Sequence, residues 1–169
     1  MNSSQILCAL ESDVLLKKYQ IGVFANDKIP YLGGNSHIAY IINSAPANHT
    51  GEHWVAVYKD HKNEINIFDS FGKHPLIYLS LELINQDDSI VYQTGQLQQN
   101  TSDYCGQYCI FFVHMKAKGW NMQKICNLFN IKDKIYNDKL VNAFVTNNYS
   151  CLESQNCFSK QSCTALNSV

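Results

Sequence analysis

"HWVAVYKDHKNEINIFDSF" spans residues 53–71, and the fold turns on how it is read. "HWVAVYKD" (53–60) and "EINIFDSF" (64–71) carry the β-branched and aromatic residues of strands, and the polar "HKN" between them is a turn. Together they predict an antiparallel hairpin. Pairing around that turn brings the two outer ends together, so His53 at the start of one strand meets Asp69 near the end of the other. A carboxylate accepting from one imidazole nitrogen leaves the other nitrogen free for chemistry. A plain turn residue before "SFG" is the structural alternative for Asp69.

Working outward, residues 3–19 place Ile6, Leu7, Leu10, Val14 and Leu15 at helical spacing, with Ser4 as the expected cap. "IGVFANDKIPYLGGN" (21–35) reads as an irregular connection, broken by Pro30, Gly33 and Gly34. Periodicity leaves "SHIAYIINSA" (36–45) open between helix and strand. Downstream, "PLIYLSLELIN" (75–85) predicts a helix and "SIVYQTG" (89–95) a third strand. Cys105 to about Lys118 predicts a helix whose apolar residues are too continuous for a surface position, hence a central buried one. "NMQKICNLFNI" (121–131) and "DKLVNAFVTNNY" (138–149) follow as amphipathic helices. The sum is an α+β domain over residues 1–149, with a small mixed or antiparallel sheet flanked by helices. Residues 150–169 are polar and weakly periodic, and a loose tail is expected there.

At 169 residues the chain suits one domain with a real core. Its net charge of −1 provides no global attraction for nucleic acid or an anionic membrane. The first thirteen residues lack the basic start and apolar stretch of a signal peptide, and no apolar run is long enough for a membrane span. Seven cysteines, an odd number without paired spacing, are expected to be reduced thiols in a cytosolic or nuclear setting. That setting favours a functional thiol over a disulfide scaffold.

"SDYCGQYCIFF" (102–112) singles one of them out. Cys109 lies inside the apolar run, where an inert buried cysteine belongs. Cys105 lies at its edge, at a helix N-terminus with Asp103 able to cap it. There the helix dipole and a nearby imidazolium lower a thiol pKa from about 8.5. Gly106 would let a substrate backbone pass close to the sulfur. Upstream, "GQLQQNTSDYCG" offers Gln96, Gln98 and Gln99, whose amides could join the Cys105 N–H in an oxyanion hole. Nucleophile, base, orienting acid and oxyanion donor are the four parts a cysteine protease needs. The other histidines read as loop residues (His49, His61, His74) or as packed or surface ones (His37, His114).

"EHWVAVY … FDSFG … QQNTSDYCGQYC" resembles the adenain family, the adenovirus-type maturation proteases with relatives in virophages and polintons. The order His, acid, Gln, Cys is the order of that clan, which also holds the SUMO-specific proteases, and it differs from papain's. "YQIGVFANDKIP" resembles the family's early Gly-aromatic-Asp-Lys-Pro stretch and "IINSA" its helix before the histidine, so the match covers roughly residues 15–120. The resemblance implies a papain-like core in adenain order, with the nucleophile at the N-terminus of the central helix. It implies His53 as base, Asp69 as its orienter and Cys105 as nucleophile, with no cofactor. It points to Gln98 as oxyanion donor by adenain spacing and to Gln99 by that of the SUMO-specific proteases. Trp54 falls where the clan keeps a backbone near the oxyanion site.

The implied activity is that of a viral cysteine endopeptidase cleaving capsid or core precursor proteins in the virion or at the assembly site. It is expected to act as a monomer, off the membrane. Adenovirus enzymes use DNA and an activating peptide; the near-neutral charge argues against DNA here. No cysteine falls between Asp69 and Gln98 to hold such a peptide covalently, which leaves strand addition open. Ubiquitin- or SUMO-like deconjugation is the alternative within the same chemistry. From another class, a zinc-binding module would draw on Cys151, Cys157 and Cys163 or on Cys105 and Cys109. The close cysteine pairs typical of such sites are missing, and no metal site is assigned. An inactive scaffolding component is a third possibility, which the intact catalytic residue types do not favour.

Overall fold

The computed structural model describes residues 1–34, 37–60 and 63–149. β3 (Trp54–Lys59) and β4 (Glu64–Phe68) pair antiparallel in the register Ala56 to Phe68, giving the hairpin predicted from 53–71. Around it, among the described residues, the sheet has five strands in sequential order: β1 (Gln20–Ala25), β2 (Ile38–Asn43), β3, β4 and β5 (Ser89–Tyr92). β1–β2 and β4–β5 are parallel pairs and β2–β3 is antiparallel, so the sheet is mixed.

The alternation of strands sorts two cores. Ala39, Ile41, Trp54, Ala56, Tyr58 and Phe68 face the helices, while Ile38, Tyr40, Ile42, Val55, Val57, Ile65 and Ile67 face the opposite layer. β2 and β3 are buried along their whole length, which explains why their sequences are continuously apolar. On the first face lies α2 (Cys105–Ala117), seated on β3 and surrounded by α1 (Ser3–Ser12), α3 (Met122–Cys126) and α4 (Lys134–Asn148). α2 is buried from Tyr108 through Val113, and Phe112 stacks on Phe68 with ring centroids 4.7 Å apart. This fixes the helix over the hairpin and places its first residue at the hairpin's open end.

Several expectations need correcting. The stretch 21–35 is not wholly irregular: it contributes most of β1, whose parallel pairing with β2 starts at Gln20 and Ile38. "IINSA" opens in β2, not in the helix implied by the resemblance. The first helix stops at Ser12, because Asp13 caps a separate 3-10 turn over Val14–Leu16. Its N-terminal cap is Asn2, which with Gln5 forms a reciprocal capping box, not Ser4. The helix expected over 75–85 is two 3-10 turns, Pro75–Ile77 and Leu81–Leu83. There the side chains of His74 and Ser80 take the N–H groups of Leu76 and Glu82, offering the backbone a local alternative to a helix. α3 covers only the first half of 121–131.

Candidate active site

Asp69 follows β4 directly and is 2% exposed. Its Oδ1 accepts from His53 Nε2 at 2.7 Å and from the Phe71 N–H at 2.8 Å. Its Oδ2 accepts from the Tyr78 hydroxyl at 2.8 Å and the Lys73 N–H at 3.1 Å. Burial pushes this carboxyl up, but the His53 bond and charge, with the Phe71 and Tyr78 donors, hold it below the ordinary aspartate value. Asp69 is therefore an ionised, fixed acceptor. The turn "DSFG" makes this possible. Gly72 adopts φ +69°, and a Cβ there would lie 2.7 Å from the Thr94 backbone, so a side chain would break the turn.

His53 precedes β3 and packs its ring against Phe71, with centroids 4.9 Å apart. With Nε2 given to Asp69, its buried Nδ1 has no hydrogen-bond partner among the described residues. The Cys105 thiol is the other group that acts on this ring, and the two residues line the same cleft. Burial opposes charge on this imidazole, yet Asp69 and Cys105 overcome it and raise the pKa to about 9. The reciprocal effect falls on the sulfur. Burial pushes the Cys105 thiol up, but His53 and the backbone N–H groups of Trp54 and Gly106 bring it below the ordinary thiol value. Cys105 opens α2, and among the described residues no side chain caps the helix. Asp103 thus does not cap it: Tyr104 is the N-cap, and the first-turn N–H groups stay available at the sulfur.

Cys109, one turn further on, is fully buried, and burial raises its pKa well above the ordinary value. Gly106 faces the start of the chain. A Cβ there would meet Met1 at 3.2 Å and Ile6 at 3.4 Å, so the missing side chain makes room for the chain's first residues.

A cleft of about 670 Å³ opens over this arrangement, walled by Asn43, His53, Trp54, Phe71, Gln98 and Cys105 among others. Gln98 is 1% exposed and borders the cleft; Gln99 is half-buried and does not. Gln96 instead donates to the Gln98 carbonyl at 2.9 Å. The loop that carries Gln98 is tied from below. The Leu97 carbonyl accepts from the buried Asn137 side chain at 3.0 Å and from the Tyr108 hydroxyl at 3.1 Å. Gln93 Nε2 donates to the Asp69 carbonyl, and Gln93 Oε1 accepts from Gly95 N–H at 2.8 Å. Sequence inspection missed Asn137, Tyr78 and Gln93, because an asparagine, a tyrosine or a glutamine carries no signal until its partner is known.

Among the described residues no group of three His, Cys, Asp or Glu side chains could hold a metal ion, and Cys105, Cys109 and Cys126 are free thiols. Cys151, Cys157 and Cys163 lie outside the described residues. No helix among the described residues is long and apolar enough to cross a membrane.

A helix entering from its thiol-bearing N-terminus and seated on a mixed sheet is a papain-like α+β core, here in the chain order His, Asp, Gln, Cys. The same fold occurs in ChlaDub1 from Chlamydia trachomatis, with a TM-score of 0.50 over 90% of this chain and 78% of that one. Sequence identity is 14%, so the likeness is one of architecture. No family model matches the chain, and no curated protein sequence matches it.

Proposed function

We propose that this protein is a cysteine peptidase acting through Cys105, His53 and Asp69. One observation carries the reading: Cys105 and His53 line one cleft, and His53 Nε2 is held 2.7 Å from the buried Asp69 carboxylate. The thiolate attacks a carbonyl carbon in the cleft, forming an S–C bond and an oxyanion. The Cys105 N–H and the Gln98 amide are the donors for that oxyanion. Collapse breaks the C–N bond, and His53 gives its proton to the leaving amine. Water then attacks the thioester, with His53 taking its proton; the S–C bond breaks and the acid product leaves.

For the substrate, the shared fold supports a deconjugase reading, since ChlaDub1 bears the name of a deubiquitinase. In that reading the cleft takes the extended C-terminal tail of a ubiquitin-like modifier. The second reading is maturation of viral capsid or core precursors, in the virion or at the assembly site. It is supported by the adenain-like strings "EHWVAVY" and "FDSFG" and the match upstream of them.

One experiment separates the two. Purified wild-type protein and Cys105→Ala are incubated with ubiquitin and SUMO fusions and, separately, with candidate capsid precursors, and new termini are mapped. Cleavage after the modifier's last glycine, absent from Cys105→Ala, supports deconjugation; cuts confined to precursors support maturation. Equal cleavage by Cys105→Ala would overturn both.

A further inference from the structure

Ser70 follows Asp69 directly and is fully buried. Its hydroxyl lies 2.6 Å from Gln98 Oε1, and at the other end of the same amide Nε2 lies 2.6 Å from the Ser102 carbonyl. A backbone carbonyl can only accept, so the amide nitrogen must face Ser102 and the amide oxygen must face Ser70. The Ser70 hydroxyl is therefore the donor in its bond. Among the described residues nothing takes the second Nε2 proton, and Gln98 borders the cleft beside Cys105. The Ser70 carbonyl also accepts the N–H groups of Leu97 (2.8 Å) and Gln98 (3.1 Å). Main chain and side chain of one residue thus fix both the place and the rotation of that amide.

We propose that Ser70 is a positioning residue for the oxyanion donor, resting on the role given to Gln98 above. Its hydroxyl holds Oε1 away from the cleft, so that the free Nε2 proton meets the developing negative charge. An amide turned by half a revolution would present oxygen to the oxyanion and repel it. The dipeptide Asp69-Ser70 then orients both halves of the machinery: the carboxylate sets the base, and the hydroxyl sets the oxyanion donor.

The test compares wild type, Ser70→Ala, Gln98→Ala and the double variant on the fusion or precursor that wild type cuts. Two probes accompany turnover: iodoacetamide, which reads the thiolate alone, and acetyl-Gly-glycinal, whose hemithioacetal adduct with Cys105 places its oxygen where the oxyanion would form. Ser70→Ala should lower kcat roughly tenfold or more, part of the ~10²–10³ that a whole oxyanion donor supplies. KM should stay within about twofold. Protection by the aldehyde should weaken by a factor similar to the loss in kcat, while the alkylation rate of Cys105 holds. In the Gln98→Ala background the serine change should add little. Unchanged turnover in Ser70→Ala overturns the inference. So does a parallel loss of turnover and alkylation, which would mean that the Asp69 turn itself had collapsed. A wild type that neither cuts nor is protected by the aldehyde overturns the peptidase reading and takes this inference with it.

Discussion

His53 Nε2 and Asp69 Oδ1 are 2.7 Å apart in a buried contact, and this bond sets which imidazole nitrogen is left for Cys105. With Nε2–H held by the carboxylate, Nδ1 is the atom that exchanges a proton with the thiol and the leaving group. Cys105→Ala and His53→Ala should each reduce peptidase activity to background. Asp69→Asn keeps the ring's neighbours but loses the charge, so more activity should survive, with kcat/KM down by about 10²–10⁴. Steady-state kinetics on the three variants checks the ranking, and an Asp69→Asn enzyme as dead as Cys105→Ala would contradict it.

The pH profile follows from the same pair. The reactive form has Cys105 ionised and His53 protonated. It exists from the lowered thiol pKa up to the imidazolium pKa of about 9. The acid limb of kcat/KM should therefore fall below the ordinary thiol value, and the alkaline limb near 9. Asp69→Asn removes a raising influence on His53, so its alkaline limb should move to lower pH. A profile measured between pH 5 and 10 decides this; an unmoved alkaline limb in that variant would separate Asp69 from the imidazole.

At the opposite end of β3, Lys59 and Asp88 form a buried ion pair at 2.8 Å, with side-chain exposures of 1% and 0%. Lys59 also donates to the Leu32 carbonyl at 3.2 Å. Asp88→Ala leaves an ammonium buried without its counter-charge and should cost about 3–5 kcal/mol. That corresponds to a fall in Tm of roughly 10 °C for a domain of this size. The double change Lys59→Met with Asp88→Leu should recover most of the loss. Calorimetry on the single and double variants tests this. Activity per folded molecule should not change, because the pair is remote from the cleft.

The hairpin and the central helix were legible because their signals are local. Residues 54–58 and 64–68 carry strand-forming side chains on both sides of a polar turn, and residues 108–113 are apolar all round. β1 was hidden because its partner is non-local: Gly22 weakens its intrinsic strand preference, and parallel pairing with Ile38–Asn43 supplies the rest. The 75–85 run misled because its apolar spacing suits a helix, while Pro75, His74 and Ser80 favour caps and tight turns. At the site, residue types and chain order pointed to His53, Asp69 and Cys105. The ties that orient them, from Tyr78, Gln93, Ser70 and Asn137, depend on contacts between residues far apart in sequence.

The central claim is that Cys105 is held reactive by His53, and the pH dependence of alkylation tests it most directly. Iodoacetamide labelling, with each cysteine followed by peptide mapping, is measured from pH 5 to 10 on wild type and His53→Ala. In wild type, Cys105 should label faster than Cys109 and Cys126, whose pKa values burial raises. It should remain reactive well below the ordinary thiol range near pH 8.5, with a second step near pH 9 as His53 loses its proton. In His53→Ala the curve should collapse to a single rise at or above the ordinary thiol value. The same single rise in both proteins would contradict the account.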